Sequence, residues 1–264
     1  MIIPNTQPLP LEEAQNRLLG VLKPLNTVEV SLFDAPGRIL AQDVIANADV
    51  PGFDKSAMDG FAVRGEDIQP ASLESPVVLD VVETVPAGQM PSRKVNKGEA
   101  IRIMTGAPIP KGADTVVRFE QIEDDVKDGQ PIVRVLAPVP IGEAIVRRGE
   151  DVKSGTPILS AGVRITPAET GILATFGYSS VTVYRQPVVG ILSTGSELQP
   201  VDEPLQPGKI RDSNSAMTAH LVRQAGGIPM ILGHVEDDED KLVSHLEAHL
   251  PRIDILTTTG GVSV

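Results

Sequence analysis

Cysteine and tryptophan are absent, and aromatic residues make up only 3% of the chain. The missing cysteine excludes disulfides, thiolate metal sites and a thiol nucleophile, and is compatible with a reducing cytoplasm. The scarcity of rings leaves no platform for stacking bases. Positive charge is also short: 23 Lys and Arg stand against 35 Asp and Glu, a formal net charge of −12. Such a field opposes sequence-independent attraction to nucleic acid or to an acidic membrane surface. No stretch approaches the roughly 18 apolar residues of a membrane span, and the start, Met1 to Asn5, has no basic segment leading into an apolar one. These absences predict a soluble, cytoplasmic protein with no nucleic-acid or membrane partner. An anionic substrate would have to be held by local amides, a few placed cations or a bridging metal ion.

What is present is a globular pattern, with 264 residues and 41% apolar content, enough for two or three domains. Leu11, Ala14, Leu18, Leu22 and Leu25 recur at helical spacing and predict an amphipathic helix over 11–25. Short Val/Ile-rich runs broken by Pro and Gly follow: Val28–Leu32, Val77–Val82, Ala100–Met104, Thr115–Val117 and Ile132–Val135. They predict many short strands. From Val188 the texture changes to strand, helix, strand, helix, strand. The strands are expected at Val188–Leu192, Pro229–Leu232 and Ile253–Thr257. The first helix, capped from Asp212-Ser213-Asn214 and ended by Gly226-Gly227, would turn Met217, Leu221, Val222 and Ala225 inward. The second would bury Leu242, Val243, Leu246 and Leu250. This order implies a parallel βαβαβ unit whose ligand lies beyond the strand ends. The fold expectation is α/β plus mixed β in an elongated multi-domain chain. Residues 1–50 and 146–185 form an α/β domain, 51–145 an inserted small β domain, and 186–264 an incomplete parallel βαβαβ domain. The final apolar strand, on an open edge, is an aggregation risk unless covered.

Several polar strings fall at strand ends or in loops, and each has two readings. Pro51–Gly60 places a carboxylate before Gly60, as a catalytic loop or as an Asp-Gly turn. Thr105-Gly106 follows an apolar strand, where a hydroxyl and amides could meet an oxyanion, or is a plain turn. Arg147-Arg148-Gly149-Glu150-Asp151 either receives phosphate groups or is a solvated loop. Ser193-Thr194-Gly195-Ser196-Glu197 ends the first parallel strand, where a ligand crevice is expected. Glu236–Asp240 is an acidic helix start that also suits Mg²⁺. The four histidines, His220, His234, His245 and His249, read as surface residues; the last two share a helix face, with no third ligand evident. Neither a nucleophile elbow nor a GxxxxGK[ST] loop is present.

Taken in order, PGFDKSAMDG (51–60), IRIMTGAP (101–108), RRGED (147–151), STGSEL (193–198), DSNS (212–215), Asp237-Asp238 and TGGVSV (259–264) resemble the MoeA family, which includes the E domain of gephyrin. The resemblance implies a Mg²⁺-dependent transferase of molybdenum-cofactor biosynthesis, inserting molybdate into adenylylated molybdopterin with release of AMP. It implies homodimers, and contact with other molybdenum-cofactor assembly proteins. By motif match the catalytic residues would be Asp59, Thr105, Asp151 and Glu197. Ser56, Arg147, Arg148, Ser193, Thr194, Gly195, Asp212, Ser213, Asn214, Gly260, Gly261 and Ser263 would bind substrate, the Thr194-Gly195 and Gly260-Gly261 segments gripping the pterin phosphate. Glu197 with Asp237 and Asp238 would hold metal, one of the two aspartates matching the family acidic position. Ser196 stands where the family often has Asp. Relative to the family pattern the chain reads as truncated within the pterin-binding domain. The rival expectation is therefore a catalytically inactive truncated homologue, serving as a dimerisation or scaffold module.

Overall fold

The computed structural model describes residues 9–235 and 238–260. The chain divides into two compact units, residues 44–158 and residues 1–43 with 159–264.

The 44–158 unit is built on a six-stranded sheet. Strand Gly60–Val63, second from one edge, is buried along its whole length. It pairs antiparallel with Glu99–Ile103 on one side and Thr115–Arg118 on the other. Beyond Glu99–Ile103 come Val77–Val85, Gln130–Val135 and the edge strand Ile122–Lys127. Period-two alternation sends Phe61 and Val63 to one face, with Leu79, Ala100, Val117 and Val133, and Ala62 to the other, with Val85, Ile101, Ile103 and Val116. The sheet thus has a core on both sides. The edge strand carries Glu123, Asp124 and Asp125, charges that discourage pairing with another chain. Gly60 is dictated by close approach, since a Cβ there would lie 2.0 Å from the Val117 carbonyl oxygen.

In the other unit, helix α1 spans Leu11–Val21. It ends earlier than its apolar spacing predicts, because Pro24 disfavours helical geometry at the residue before it. Strand Thr27–Ser31 pairs antiparallel with Ser180–Tyr184. Helix α2, Pro167–Thr175, starts with a Thr166–Glu169 capping box. The expected parallel sheet is present: Val188–Thr194 lies in the middle, with Ile228–Val235 on one side and Ile255–Thr259 on the other. The last strand begins two residues later than its apolar run predicts. Asp254, just before it, accepts two Arg185 hydrogen bonds and the Val188 amide, all at 2.7 Å, and so ties both strand starts together.

Helix α3, Ser213–Gln224, is capped by Asp212, but its inward face differs from the expectation. Met217 and Leu221 are 59% and 55% exposed, while Ser215 and Ala219 are buried. Small side chains let the helix approach the sheet closely, so volume outweighs hydrophobicity in choosing the face. Helix α4, Glu239–His249, is capped by Asp238. Leu242 and Leu246 pack on the core with Leu192 and Leu232, whereas Val243 and Leu250 are exposed. Among the described residues no helix is long and apolar enough to cross a membrane.

Candidate functional site

In the 44–158 unit, one loop gathers three of the polar strings. Residues 50–59 run between two partners. Along one side Ser56 N–H donates to Ala107 O, and Gly106 N–H to Ser56 O. Along the other, Lys55–Ser56 pairs with Ile145–Val146, and Gly149 and Asp151 amides donate to Pro51 and Val50 carbonyls. Asp59 emerges at one end of this zipper, immediately before strand Gly60–Val63. Thr105 faces it because Gly60 and Ile103 are register partners. The Thr105 hydroxyl and amide donate to the same Asp59 oxygen, Oδ1, at 2.6 and 2.7 Å. These bonds, the hydroxyl's first, hold the Asp59 carboxyl below its ordinary value.

The Thr105-Gly106 turn therefore has no amide left for an oxyanion, contrary to one reading of its sequence: Thr105 spends both donors on Asp59, and the Gly106 amide is bonded to Ser56. Ser56 is fully buried. Its hydroxyl donates to the Met58 carbonyl at 2.5 Å, so this side chain shapes the loop.

The arginines of the 147–151 string also have partners within the protein. Arg147 Nη1 lies 2.7 Å from Asp54 Oδ2, and the Arg148 amide donates to Asp54 Oδ1 at 2.8 Å. Arg148 Nε is 2.6 Å from Asp49 Oδ2, and the Arg147 amide donates to Glu150. The Arg148 amide and then the Arg147 guanidinium lower the Asp54 carboxyl; the Ser154 amide and then Arg148 lower that of Asp49. Sequence reasoning does not single out Asp49 or Asp54, although Asp54 stands inside the 51–60 motif. The exposed Asp151 carboxylate receives no hydrogen bond among the described residues.

The second cluster sits at the carboxyl ends of the parallel strands in the other unit. Ser193 is fully buried, and its hydroxyl lies 2.9 Å from both the Ser215 and the Thr259 hydroxyls. Ser215, 4% exposed, also donates its amide to the cap residue Asp212. Burial pushes the Asp212 carboxyl up, but bonds from Ser215 and Ser193 and the nearby His234 outweigh it, and the net shift is downward. Ser215 is not among the site residues that the sequence points to; its place as the fourth member of DSNS, at the first helical turn, is the available signal. Thr194 Oγ1 reaches the Thr259 carbonyl at 3.5 Å. The Gly195 turn has φ +148°, and the Glu197 carboxylate folds back over it so closely that a Cβ at Gly195 would lie 2.7 Å from both oxygens. Ser213, Asn214 and Gly260 are exposed at the same end of the sheet. Asp237, Gly261 and Ser263 lie outside the described residues.

The donor set does not by itself make a metal centre. Among the described residues no group of three or more His, Asp or Glu side chains is placed to hold an ion, and Asp238 Oδ1 already accepts the Lys241 amide as the α4 cap. His245 and His249 are half-buried. Their rings lie 4.5 Å apart, and each approaches a backbone carbonyl, those of Leu232 and His245.

Both clusters fall within segments that match known proteins. A family model described as MoeA N-terminal region (domain I and II) matches residues 9–177, and one described as probable molybdopterin binding domain matches residues 190–264. A molybdopterin molybdenumtransferase of Bacillus subtilis is 43% identical over 97% of the chain and 60% of its own length; one of Staphylococcus epidermidis is 38% identical over the whole chain and 62% of its own length. The chain thus spans about three fifths of the curated relatives it matches. Crystal structures of a molybdopterin biosynthesis moeA protein from Pyrococcus horikoshii superpose with TM-scores of 0.87 and 0.84. They are 38% and 34% identical, over 97% and 96% of this chain and 67% and 64% of theirs.

Proposed function

The chain belongs to the MoeA family of molybdopterin molybdenumtransferases, and from that premise we propose that it binds adenylylated molybdopterin and supports insertion of molybdate with release of AMP. The observation that carries this reading is the buried Ser193–Ser215–Thr259 hydroxyl network, joined to Asp212, at the ends of three parallel strands, where α/β sheets place ligands. In this reading it holds the Thr194–Gly195 turn and Gly260 in place for a phosphate, with the Lys209 ammonium on the adjacent Ser196 carbonyl as a nearby cation.

In this reading Asp59 is kept ionised by Thr105 and takes up or orients a proton on an attacking oxygen, while Asp151 and Glu197 supply the other exposed carboxylates. Mg²⁺, when bound with the diphosphate, would neutralise its charge. The described residues form no cage for it, so each proposed step runs through the chain's own groups. The test is to incubate the purified protein with adenylylated molybdopterin and molybdate, following AMP release and the activation of a molybdenum-dependent apoenzyme. Molybdate-dependent AMP release that Asp59→Asn abolishes supports the reading; saturable substrate binding with no release at any molybdate concentration overturns the catalytic part.

One observation bears on self-association, which the transferase and the scaffold-module readings both expect. Helix α1 buries none of its residues, leaving Leu11, Leu18 and Leu22 at 74%, 64% and 58% exposed. We propose that this face is covered in a homodimer. Sedimentation equilibrium should show a dimer that Leu18→Glu converts to monomer; a wild-type monomer at micromolar concentration contradicts it.

A further inference from the structure

The six-stranded sheet of the 44–158 unit carries a cleft whose lining shares no residue with either polar cluster. It measures about 300 Å³ and lies where the edge hairpin, Ile122–Lys127 with Gln130–Val135, meets strands Val77–Val85 and Glu99–Ile103. That volume is at the lower end of the roughly 300–1,000 Å³ of small-ligand sites, which suits a small metabolite. Val81, Val126 and Ile132 supply apolar wall, and Arg102 and Asp124 supply opposite charges.

Arg102 is the polar group whose demand the fold leaves unmet. Its Cζ sits 4.9 Å from the centroid of the Phe119 ring, a cation–π contact that steadies the guanidinium without using an N–H. Among the described residues that guanidinium donates no hydrogen bond. Nε is buried without a partner, and Nη1 stands 3.9 Å from Asp124 Oδ2, beyond the roughly 2.7–3.2 Å of an N–H···O bond. Asp124 likewise accepts none. The neighbouring Asp125 differs: Arg134 donates to its Oδ2 from Nε and Nη2, at 3.1 and 2.8 Å, and the Val126 amide to its Oδ1 at 2.7 Å. Of two adjacent carboxylates on one strand, one is spent on the fold and the other faces a guanidinium it does not reach. A planar guanidinium held in place without an acceptor is matched in shape to the two oxygens of a carboxylate.

The balance of charge narrows the ligand class. Arg102 offsets Asp124 and Arg134 offsets Asp125, so the cleft has no net local charge. A bare anion would enter against the field of a protein of net charge −12, and a bare cation would meet Arg102. A zwitterion adds no net charge, and it carries a partner for each unmet group. We propose that the cleft binds a free α-amino acid with an apolar side chain, its carboxylate on Arg102, its ammonium on Asp124 and its side chain against Val81, Val126 and Ile132. The two protein charges stand 3.9 Å apart, a separation suited to a carboxylate and an ammonium borne on one carbon. This is a second small-molecule site, and it does not depend on the molybdopterin reading.

The experiment titrates the full chain by calorimetry with leucine, with leucinamide, which lacks the carboxylate, with isocaproate, the same skeleton without the amine, and with glycine, which lacks the apolar side chain. Leucine is expected to bind saturably, and each analogue about tenfold more weakly, the scale of one charge-assisted hydrogen bond or of one apolar side chain left unburied. Arg102→Gln should bring leucine down to the level of leucinamide. Asp124→Asn should bring it down to that of isocaproate, and because Asp124 is exposed on the edge strand, this variant should unfold at the wild-type temperature. Leucine that binds no more tightly than leucinamide and isocaproate overturns the assignment, as does leucine binding that Asp124→Asn leaves unchanged. Absence of wild-type binding to leucine, valine and phenylalanine alike overturns it as well, while binding of adenylylated molybdopterin by the same sample leaves the proposed function standing.

Discussion

The two polar clusters differ in how their charges are satisfied. Along the 50–59 loop, Asp59 is bonded by Thr105, Asp54 by Arg147 and the Arg148 amide, and Asp49 by Arg148. The arginines that read as phosphate receptors are already neutralised inside an exposed loop. At the ends of the parallel strands no ion pair forms among the described site residues; buried hydroxyls tie the strands together, and a half-buried carboxylate lines a cleft. Both regions show short polar strings after apolar strands. What separates a self-satisfied loop from a recognition surface is whether an oppositely charged partner is brought within hydrogen-bond distance, and that partner comes from a segment distant in sequence.

The largest effect should come from unseating the strand that presents Asp59. Gly60→Val would drive a side chain into the Val117 carbonyl, whose oxygen would lie 2.0 Å from the new Cβ. Backbone cannot yield as a flexible side chain can, so destabilisation by about 4 kcal/mol or more is expected. Thermal unfolding should show the 44–158 unit melted, with Asp59 and Thr105 no longer held together, while the parallel-sheet unit keeps its own transition. Retention of the wild-type midpoint would mean that strand Gly60–Val63 is not where the pairing places it.

A smaller effect is expected from Asp254, the clamp of the parallel sheet. Arg185 first, and then the Val188 amide, lower its carboxyl to about 2 from an ordinary 3.8. A depressed carboxyl contributes stability that is fully present above its unfolded value and disappears as pH falls through the folded one. The contribution should therefore be intact at about pH 5 and vanish between about pH 4 and pH 2. Asp254→Asn should cost about 2 kcal/mol at neutral pH, the scale of a charge-assisted hydrogen bond, and should flatten that acid-dependent decline. Chemical denaturation from about pH 2 to pH 7 provides the check. Identical slopes in the two proteins would show that Arg185 and Asp254 do not act as a clamp.

Much of the architecture is legible in the sequence because it depends on local pattern. The short strands, the parallel βαβαβ order, and the caps at Asp212 and Asp238 follow from period, turn residues and capping chemistry. The faces of α3 and α4 are less legible. Helical spacing marks Met217 and Leu221 as apolar, but only the fold shows that the sheet is met by Ser215 and Ala219. The site is legible as a set of motifs and not as a set of contacts. Asp59 and Thr105 both stand out in the sequence, yet their union needs the Gly60↔Ile103 register. Asp49 and Asp54 do not stand out, because an acidic residue in a turn-rich loop carries no local sign of an arginine 99 or 93 residues later.

If Thr194 serves binding and Asp59 serves turnover, the two roles should separate by mutation. The affinity of adenylylated molybdopterin and the rate of AMP release are measured in parallel for wild type, Thr194→Val and Asp59→Asn. Thr194→Val keeps side-chain volume and β-branching but removes a hydroxyl at the strand end, and should weaken binding by about tenfold. Asp59→Asn keeps an oxygen facing Thr105 but removes the charge, and should leave affinity unchanged and lower thermal stability only slightly while AMP release collapses. Weaker affinity in Asp59→Asn together with unchanged affinity in Thr194→Val would contradict this division of roles, placing substrate recognition in the loop.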